Sequence, residues 1–294
     1  LRRILGGKVT HVVSGGGPLG ERLGHFYRGA GVTVLEGYGL TETAAPATVA
    51  QPATMVIGTV GGPMPGTQVR LAEDGEILIR GIGLFTRYHN NPAATAESLV
   101  ELPAEPADRA PSGAASVQEG DGAPATERWF RSGDIGTFDR HGFLRITGRK
   151  KEIIVTAGGK NVAPAVLEDR LRGHPLVSQV LVIGDGEPFI SALVTLDAEM
   201  LPGWLHNHGL PEMSVVEAST NPQVLAALDR AVARTNRAVS RAESIRAFRV
   251  LTNDFTQANG LLTPSLKVKR NQVMKEYAGT IADIYASTRK GPQE

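Results

Sequence analysis

Two apolar runs near the start of the chain, "VTHVV" at 9–13 and "VTVLE" at 32–36, bracket "LGERLGHFYRGAG", a stretch that reads as a helix. The pattern predicts strand, glycine turn, helix and strand, the βαβ unit of a parallel sheet. From Ile57 to Ile146 the texture changes to short β-type runs, "TQVRLA", "GEILIR" and "GFLRIT", separated by Gly and Pro. A small antiparallel or barrel-like subdomain is expected there. Residues 101–127 interrupt it: they hold no aromatic side chain and little aliphatic content. Such a segment cannot offset its own ordering entropy, so a disordered surface insertion is expected. After residue 148 a second unit follows, with "APAVLEDRLRGHP" as a short helix and "LVSQVLVIG" and "FISALVTL" as strands. A longer helix should begin near Asn221 with Pro222 in its first position, burying Val224, Leu225, Leu228, Val232 and Val239. The segment "NQVMKEYAGTIADIYAS" repeats the pattern through Val273, Tyr277, Ile281 and Ile284. The expected class is α/β followed by α+β, with no internal repeat.

Composition narrows the functions open to such a fold. The 294 residues are 41% hydrophobic and carry a formal net charge of +1, so a sizeable core is available and no dominant electrostatic partner such as nucleic acid is implied. Two short basic clusters, "GRKKE" and "KVKR", need local explanations. The chain has no cysteine, which removes disulfides, thiolate nucleophiles and cysteine-bound metals and fits the cytoplasm. No stretch approaches the roughly 18 apolar residues of a membrane span, although peripheral membrane contact stays open. The opening "LRRILGGKVTHVV" leads straight into a strand rather than reading as a signal peptide. A chain starting so close to mid-domain is expected to be a piece of a longer protein.

The glycine turn is the first candidate site. Gly15, Gly17 and Gly20 match G-x-G-x-x-G, and Glu36 follows at about the spacing of a ribose-binding acid. An NAD-dependent oxidoreductase is one reading. A glycine-rich turn at a strand end also lets backbone N–H groups approach other phosphates, or simply connects strand to helix. Directly after Glu36, "GYGLTETAAP" offers the Thr41 hydroxyl and Glu42 carboxylate, hard oxygen groups suited to a Mg²⁺–phosphate unit, with Tyr38 as a flat face for a base and Gly39 allowing close approach. Further on, Asp134 in "SGDIG" together with Arg149 could clasp a ribose diol from two sides. Taken singly, Asp134 reads as a turn residue and "RKK" as a solvated surface. Lys267, in "LLTPSLKVKR", falls in a Thr/Pro/Ser-rich loop expected to be mobile.

In order and in sequence these segments resemble the adenylate-forming superfamily of acyl-CoA synthetases, luciferases and peptide-synthetase adenylation domains. The strongest elements are "YGLTET", "SGDIGTFDRHGFLRITGRKKEIIVTAGGKNVAP" and "LTPSLKVKR". The last two are most similar to bacterial long-chain fatty acyl-CoA synthetases, including the mycobacterial FadD type. The resemblance implies that residues 1–148 are the end of a large adenylation domain, a βαβ sheet portion plus a small β-barrel-like subdomain, and that 149–294 form a mobile α+β lid. It implies ATP or AMP, Mg²⁺ and CoA as cofactor and cosubstrates, and a fatty acid as substrate. Gly15, Gly16, Gly17 and Pro18 would line the adenine, with Tyr38 stacked on it and Gly39 beside it. Thr41 and Glu42 would handle Mg²⁺ and phosphate, Asp134 and Arg149 the ribose hydroxyls. Lys151 would be the hinge, Lys267 the catalytic lysine, and Gly158 and Gly159 would face the pantetheine channel. The family's phosphate loop, "TSGTTG-x-PKG" in typical form, is missing from this sequence, so the resemblance points to the C-terminal half of a longer enzyme. The lysine motif reads "SLK" where much of the superfamily has "SGK". A fatty acyl-AMP ligase that loads a carrier protein is the alternative within the superfamily, and a non-catalytic binding fragment is a further one.

Overall fold

Strands β1 (His11–Ser14) and β2 (Thr33–Leu40) pair in parallel, Ser14 opposite Glu36, with helix α1 (Glu21–Gly29) crossing between them. The computed structural model describes residues 2–104 and 126–289. The chain divides into two compact units, Leu1–Lys151 and Glu152–Glu294.

In the first unit β2 does not return through a second crossover helix. It runs on past Glu36, turns through a short 3₁₀ segment at Thr41–Thr43, and pairs antiparallel with β3 (Ala45–Val49), which pairs with β4 (Gly62–Pro63). The sheet order is therefore β1-β2-β3-β4, parallel at one end and antiparallel beyond. Next come β5 (Thr67–Leu71), β6 (Glu76–Gly81), α2 (Pro92–Ser98), β7 (Leu99–Pro103), β8 (Thr126–Phe138) and β9 (Leu144–Arg149). They form an antiparallel sheet in the order β5-β6-β8-β7, with β9 also on β8. Tyr38, Ala47, Val60, Val69, Ile77, Ile79 and Leu144 make one core that joins β2 and β3 to this sheet. Both ends of the segment expected to be a disordered insertion are instead strand. Glu101 pairs with Arg128, Leu102 with Glu127 and Pro103 with Thr126, and a salt bridge of 3.0 Å links Glu101 to Arg128. Ladder hydrogen bonds order these residues despite their polar composition; 105–125 lie outside the described residues.

The second unit opens with the small hairpin β10 (Ile154–Val155) and β11 (Asn161–Val162), then α3 (Pro164–Arg172), β12 (Val177–Ile183) and β13 (Ile190–Leu196). Helices α4 (Leu201–Asn207), α5 (Val215–Ala218) and α6 (Pro222–Asn236) precede β14 (Ile245–Leu251), and α7 (Arg270–Glu276) and α8 (Ala278–Arg289) close it. The sheet β12-β13-β14 is covered on both faces, which is why β12 and β13 read as largely apolar runs rather than alternating ones. Val180 and Val182 face a core shared with Leu167, Leu228 and Val232, whereas Leu181 and Ile183 join Phe255, Val273 and Ile284. Helix α6 starts where expected, with Asn221 accepting from the Gln223 and Val224 N–H groups. Its buried stripe is wider than the aliphatic pattern suggests, taking in Ala227, Ala231 and Thr235, while Leu225 is half-buried and Val239 lies beyond the helix end. The last amphipathic stretch breaks at Tyr277 into two helices.

Candidate functional site

The glycine turn is held from below. Gly16 adopts φ 80°, in the left-handed region that suits glycine, and Glu36 accepts the Leu19 N–H at 3.2 Å. Glu36 thus ties β2 to the glycine turn, and Gly20, at φ 79°, precedes α1 with no side-chain cap. An NAD fingerprint calls for a crossover helix after the second strand and a carboxylate presented to a ribose. Here β2 continues into an antiparallel pair and the carboxylate serves the loop.

Tyr38 departs from the expectation of a stacking face. It is only 8% exposed, packs in the core of the first unit, and donates its hydroxyl to Asp134 Oδ2 at 2.8 Å. Burial pushes its phenol far above the ordinary tyrosine range, and the Asp134 charge adds to the shift, so it remains a donor at any working pH. One residue further along β2, Gly39 lies so close to β3 that a Cβ would come within 2.5 Å of the Ala45 carbonyl oxygen. Its small size serves strand packing. Thr41 is exposed and Glu42 half-buried on the 3₁₀ turn, and Ala44 and Ala45 follow at φ 55° and 72°. Glu42 Oε1 accepts the Tyr88 hydroxyl at 2.7 Å, while its backbone carbonyl accepts the Phe85 N–H at 2.8 Å. Among the described residues no cluster of three or more His, Cys, Asp or Glu could hold a metal ion. Two neighbouring oxygen donors do fit Mg²⁺, which keeps several water and phosphate ligands and takes one or two from protein.

Asp134 sits inside β8 rather than in a turn, 5% exposed, directly opposite Arg149 on β9. The pair meets at 3.3 Å between Oδ1 and Arg149 Nε, and the arginine side chain is 61% exposed. One carboxylate oxygen of buried Asp134 is thus held by Tyr38 and the other faces Arg149, whose guanidinium is the solvent-facing member of this charge-assisted pair. The rest of "GRKKE" is also explained. Lys150 reaches Asp74 at 2.5 Å and Glu76 at 2.8 Å, and Arg131 Nη2 reaches the same Glu76 oxygen at 2.8 Å. Glu76 is 3% exposed; burial alone would raise its carboxyl, yet Lys150 and Arg131 outweigh that and hold it below the usual range. A depressed carboxyl stabilises the fold above its unfolded pKa, and that contribution is lost as pH falls through the folded value. The first unit should therefore weaken below about pH 4. Glu76→Gln should cost about 1.5–3 kcal/mol at pH 7 and flatten the acid limb; urea unfolding at pH 7 and 3.5 measures both, and a steep limb in the variant would rule Glu76 out as its source.

In the second unit Gly158 and Gly159 form the exposed turn between β10 and β11, with Gly159 at φ 75°. Thr156 Oγ1 accepts the Lys160 N–H at 3.2 Å and the Ala157 N–H donates to Glu187, so this turn is fastened at its base. Lys151 is exposed, within a 3₁₀ turn at Lys150–Glu152 that spans the boundary of the two units.

The Lys267 segment is an ordered hairpin turn and not a loose loop. Leu262 bridges Val268, Leu266 N–H donates to Thr263 at 2.9 Å, Thr263 N–H donates to Lys267 at 2.8 Å, and Lys267 N–H donates to Thr263 Oγ1 at 3.0 Å. Leu266 takes φ 60° with 65% exposure, the αL position that such a turn normally fills with glycine. A glycine here, as in the "SGK" form of the resemblance, would take this backbone without strain, and Leu266 makes "SLK" a strained equivalent. Below the hairpin, Arg270 binds Glu168 Oε1 and the Val182 carbonyl, each at 2.6 Å, anchoring "KVKR" to α3 and β12. Left-handed backbone costs a non-glycine residue about 1–2 kcal/mol, and glycine gives back about 0.5–1 kcal/mol through unfolded-state entropy. Leu266→Gly should stabilise the second unit by about 0.5 kcal/mol; a lower Tm in the variant would show that the leucine makes a compensating contact.

Residues 2–89 match the model of the AMP-binding enzyme family and residues 151–289 that of the AMP-binding enzyme C-terminal domain. The chain belongs to the AMP-binding enzyme family. It is 50% identical over 286 residues to the long-chain-fatty-acid–CoA ligase FadD15 of Mycobacterium tuberculosis, covering 97% of this chain and 43% of that protein. It thus spans less than half the length of that relative. Among solved structures, the adenylation domain of a carboxylic acid reductase from Segniliparus rugosus, in complex with AMP and a co-purified carboxylic acid, aligns with a TM-score of 0.67 and 22% identity, over 98% of this chain and 41% of that one. The O-succinylbenzoate CoA synthetase of Bacillus subtilis, in complex with ATP and magnesium ion, aligns with a TM-score of 0.60 and 22% identity, over 92% and 49%. These structures share the fold. Among the described residues no helix is long and apolar enough to cross a membrane.

Proposed function

We propose that this chain is the nucleotide-gripping and lysine-bearing part of a long-chain fatty acyl-CoA ligase that activates a fatty acid with ATP as its acyl-adenylate and then passes the acyl group to the CoA thiol. The similarity to a ligase of that activity at 50% identity supports the substrate class. The observation that carries the site is the Tyr38–Asp134 hydrogen bond, which brings the strand leading into Thr41 and Glu42 onto the strand pair of Asp134 and Arg149. Asp134 accepts from a ribose hydroxyl and Arg149 donates to it. Tyr38 holds Asp134 in place instead of stacking on the base, and the glycine turn from Gly15 to Pro18 gives the adenine a close approach to backbone. Glu42 and Thr41 take the metal and phosphate side. Mg²⁺ on the ATP phosphates supplies charge neutralisation when bound. Lys267 supplies an ammonium for the charge that moves between carboxylate and α-phosphate, and no side-chain nucleophile is needed.

The test is Asp134→Asn in the protein expressed from its complete reading frame, since the amide still accepts from Tyr38. AMP binding by calorimetry should weaken by about 1.5–3 kcal/mol. Unchanged affinity would make Asp134 a structural partner of Tyr38 only. Acyl-adenylate that accumulates and is not consumed on adding CoA would favour an acyl-AMP ligase loading a carrier protein.

A further inference from the structure

The segment after β6, "GLFTRYHNNP", carries no recognisable motif, yet it is built against the Thr41–Thr43 turn. A Cβ on Gly83 would lie 2.6 Å from the Thr43 carbonyl oxygen, so the two backbones touch. The Phe85 N–H fixes the Glu42 carbonyl, and the Tyr88 hydroxyl fixes Glu42 Oε1 at 2.7 Å. The Tyr88 ring is itself held: its centroid lies 4.7 Å from that of Phe85, which packs edge-on against Phe130, and its N–H donates to Thr95 Oγ1 at 3.0 Å. Thr95 lies on α2, whose start is capped by Asn91.

We infer that Tyr88 is a positioning residue for Glu42, holding one carboxylate oxygen so that the other is presented to the Mg²⁺ of bound ATP. The inference rests on the proposed role of Glu42. A glutamate on a three-residue turn has several rotamers to lose before it can bind a cation, and a fixed donor on Oε1 removes most of that freedom in advance. Partners of this kind, one step removed from the metal, typically govern its affinity by 10- to 100-fold.

The experiment compares wild type, Tyr88→Phe and Asn91→Ala, each from the complete reading frame, by calorimetric titration of ATP across a series of MgCl₂ concentrations. Phenylalanine keeps the ring packing and removes only the donor. Tyr88→Phe should raise the Mg²⁺ concentration for half-maximal ATP binding by about tenfold with little change in Tm. Asn91→Ala should lower Tm and leave that concentration unchanged. Wild-type Mg²⁺ dependence in Tyr88→Phe, or an equal shift in Asn91→Ala, would overturn the inference. Fatty-acid-dependent pyrophosphate exchange read in parallel separates the two claims: its absence from a wild type that still binds Mg·ATP would defeat the acyl reading alone. ATP binding that ignores Mg²⁺ in the wild type would defeat the Tyr88 inference.

Discussion

Lys267→Ala should slow acyl-adenylate formation by about 10²- to 10³-fold while leaving a supplied acyl-adenylate able to transfer its acyl group to CoA at close to the wild-type rate. The reason is where the charge moves. When a carboxylate attacks the α-phosphate, negative charge is redistributed between the attacking and bridging oxygens, and a fixed ammonium lowers the barrier only if it costs no reorganisation at that moment. Lys267 is exposed and makes no ion pair among the described residues, yet its backbone is pinned at both amide groups to Thr263 and its hairpin is rooted through Arg270. A long, otherwise mobile side chain is thus presented from a rigid base. Thioester formation displaces AMP with a thiolate and does not need that ammonium. Measuring each half-reaction separately decides the matter; a supplied adenylate turned over as slowly as acid plus ATP would refute this division of labour.

The βαβ start, the doubly covered sheet of the second unit and the α6 boundary were legible because each is written in local periodicity and capping. Tyr38 was misread for the same reason. An aromatic between two glycines looks accessible, but it is buried among Val69, Ile77 and Leu144 and bonded to Asp134, ninety-six positions away. Glu42 with Tyr88, and Lys150 with Asp74 and Glu76, are likewise pairs that no window of sequence contains. The lysine loop shows the opposite error: Thr, Pro and Ser suggested mobility, whereas the same residues close a hairpin whose αL position falls on Leu266. Motif resemblance names Asp134, Arg149 and Lys267 as candidates without saying what holds them. The holding residues, Tyr38, Tyr88, Glu168 and Arg270, became visible only through long-range contacts.

Lys151→Pro should leave acyl-adenylate formation within a few-fold of wild type and lower thioester formation by about 10²-fold. Arg149 and Lys150 are tied by ion pairs to Asp134, Asp74 and Glu76 in the first unit, and Ile154 is buried in the core of the second and paired with Val162. Only Lys151, Glu152 and Ile153 lie between those anchors, so any backbone change that reorients one unit must be absorbed there. On the proposed function, the two half-reactions would ask the second unit for different groups, the Lys267 ammonium for adenylation and the Gly158–Gly159 turn for admission of the pantetheine thiol. Proline fixes φ near −65° and pushes the preceding Lys150 out of helical geometry, which restricts the segment to one of its states. A misplacement of about 1 Å is enough for the expected loss. Retention of adenylation is the discriminating part of the result. Equal loss of both half-reactions, with a lowered Tm, would mean that proline merely disrupts the 3₁₀ turn. Equal loss with an unchanged Tm would move Lys151 from pivot to chemistry, and thioester formation at the wild-type rate would place the pivot at Glu152 or Ile153.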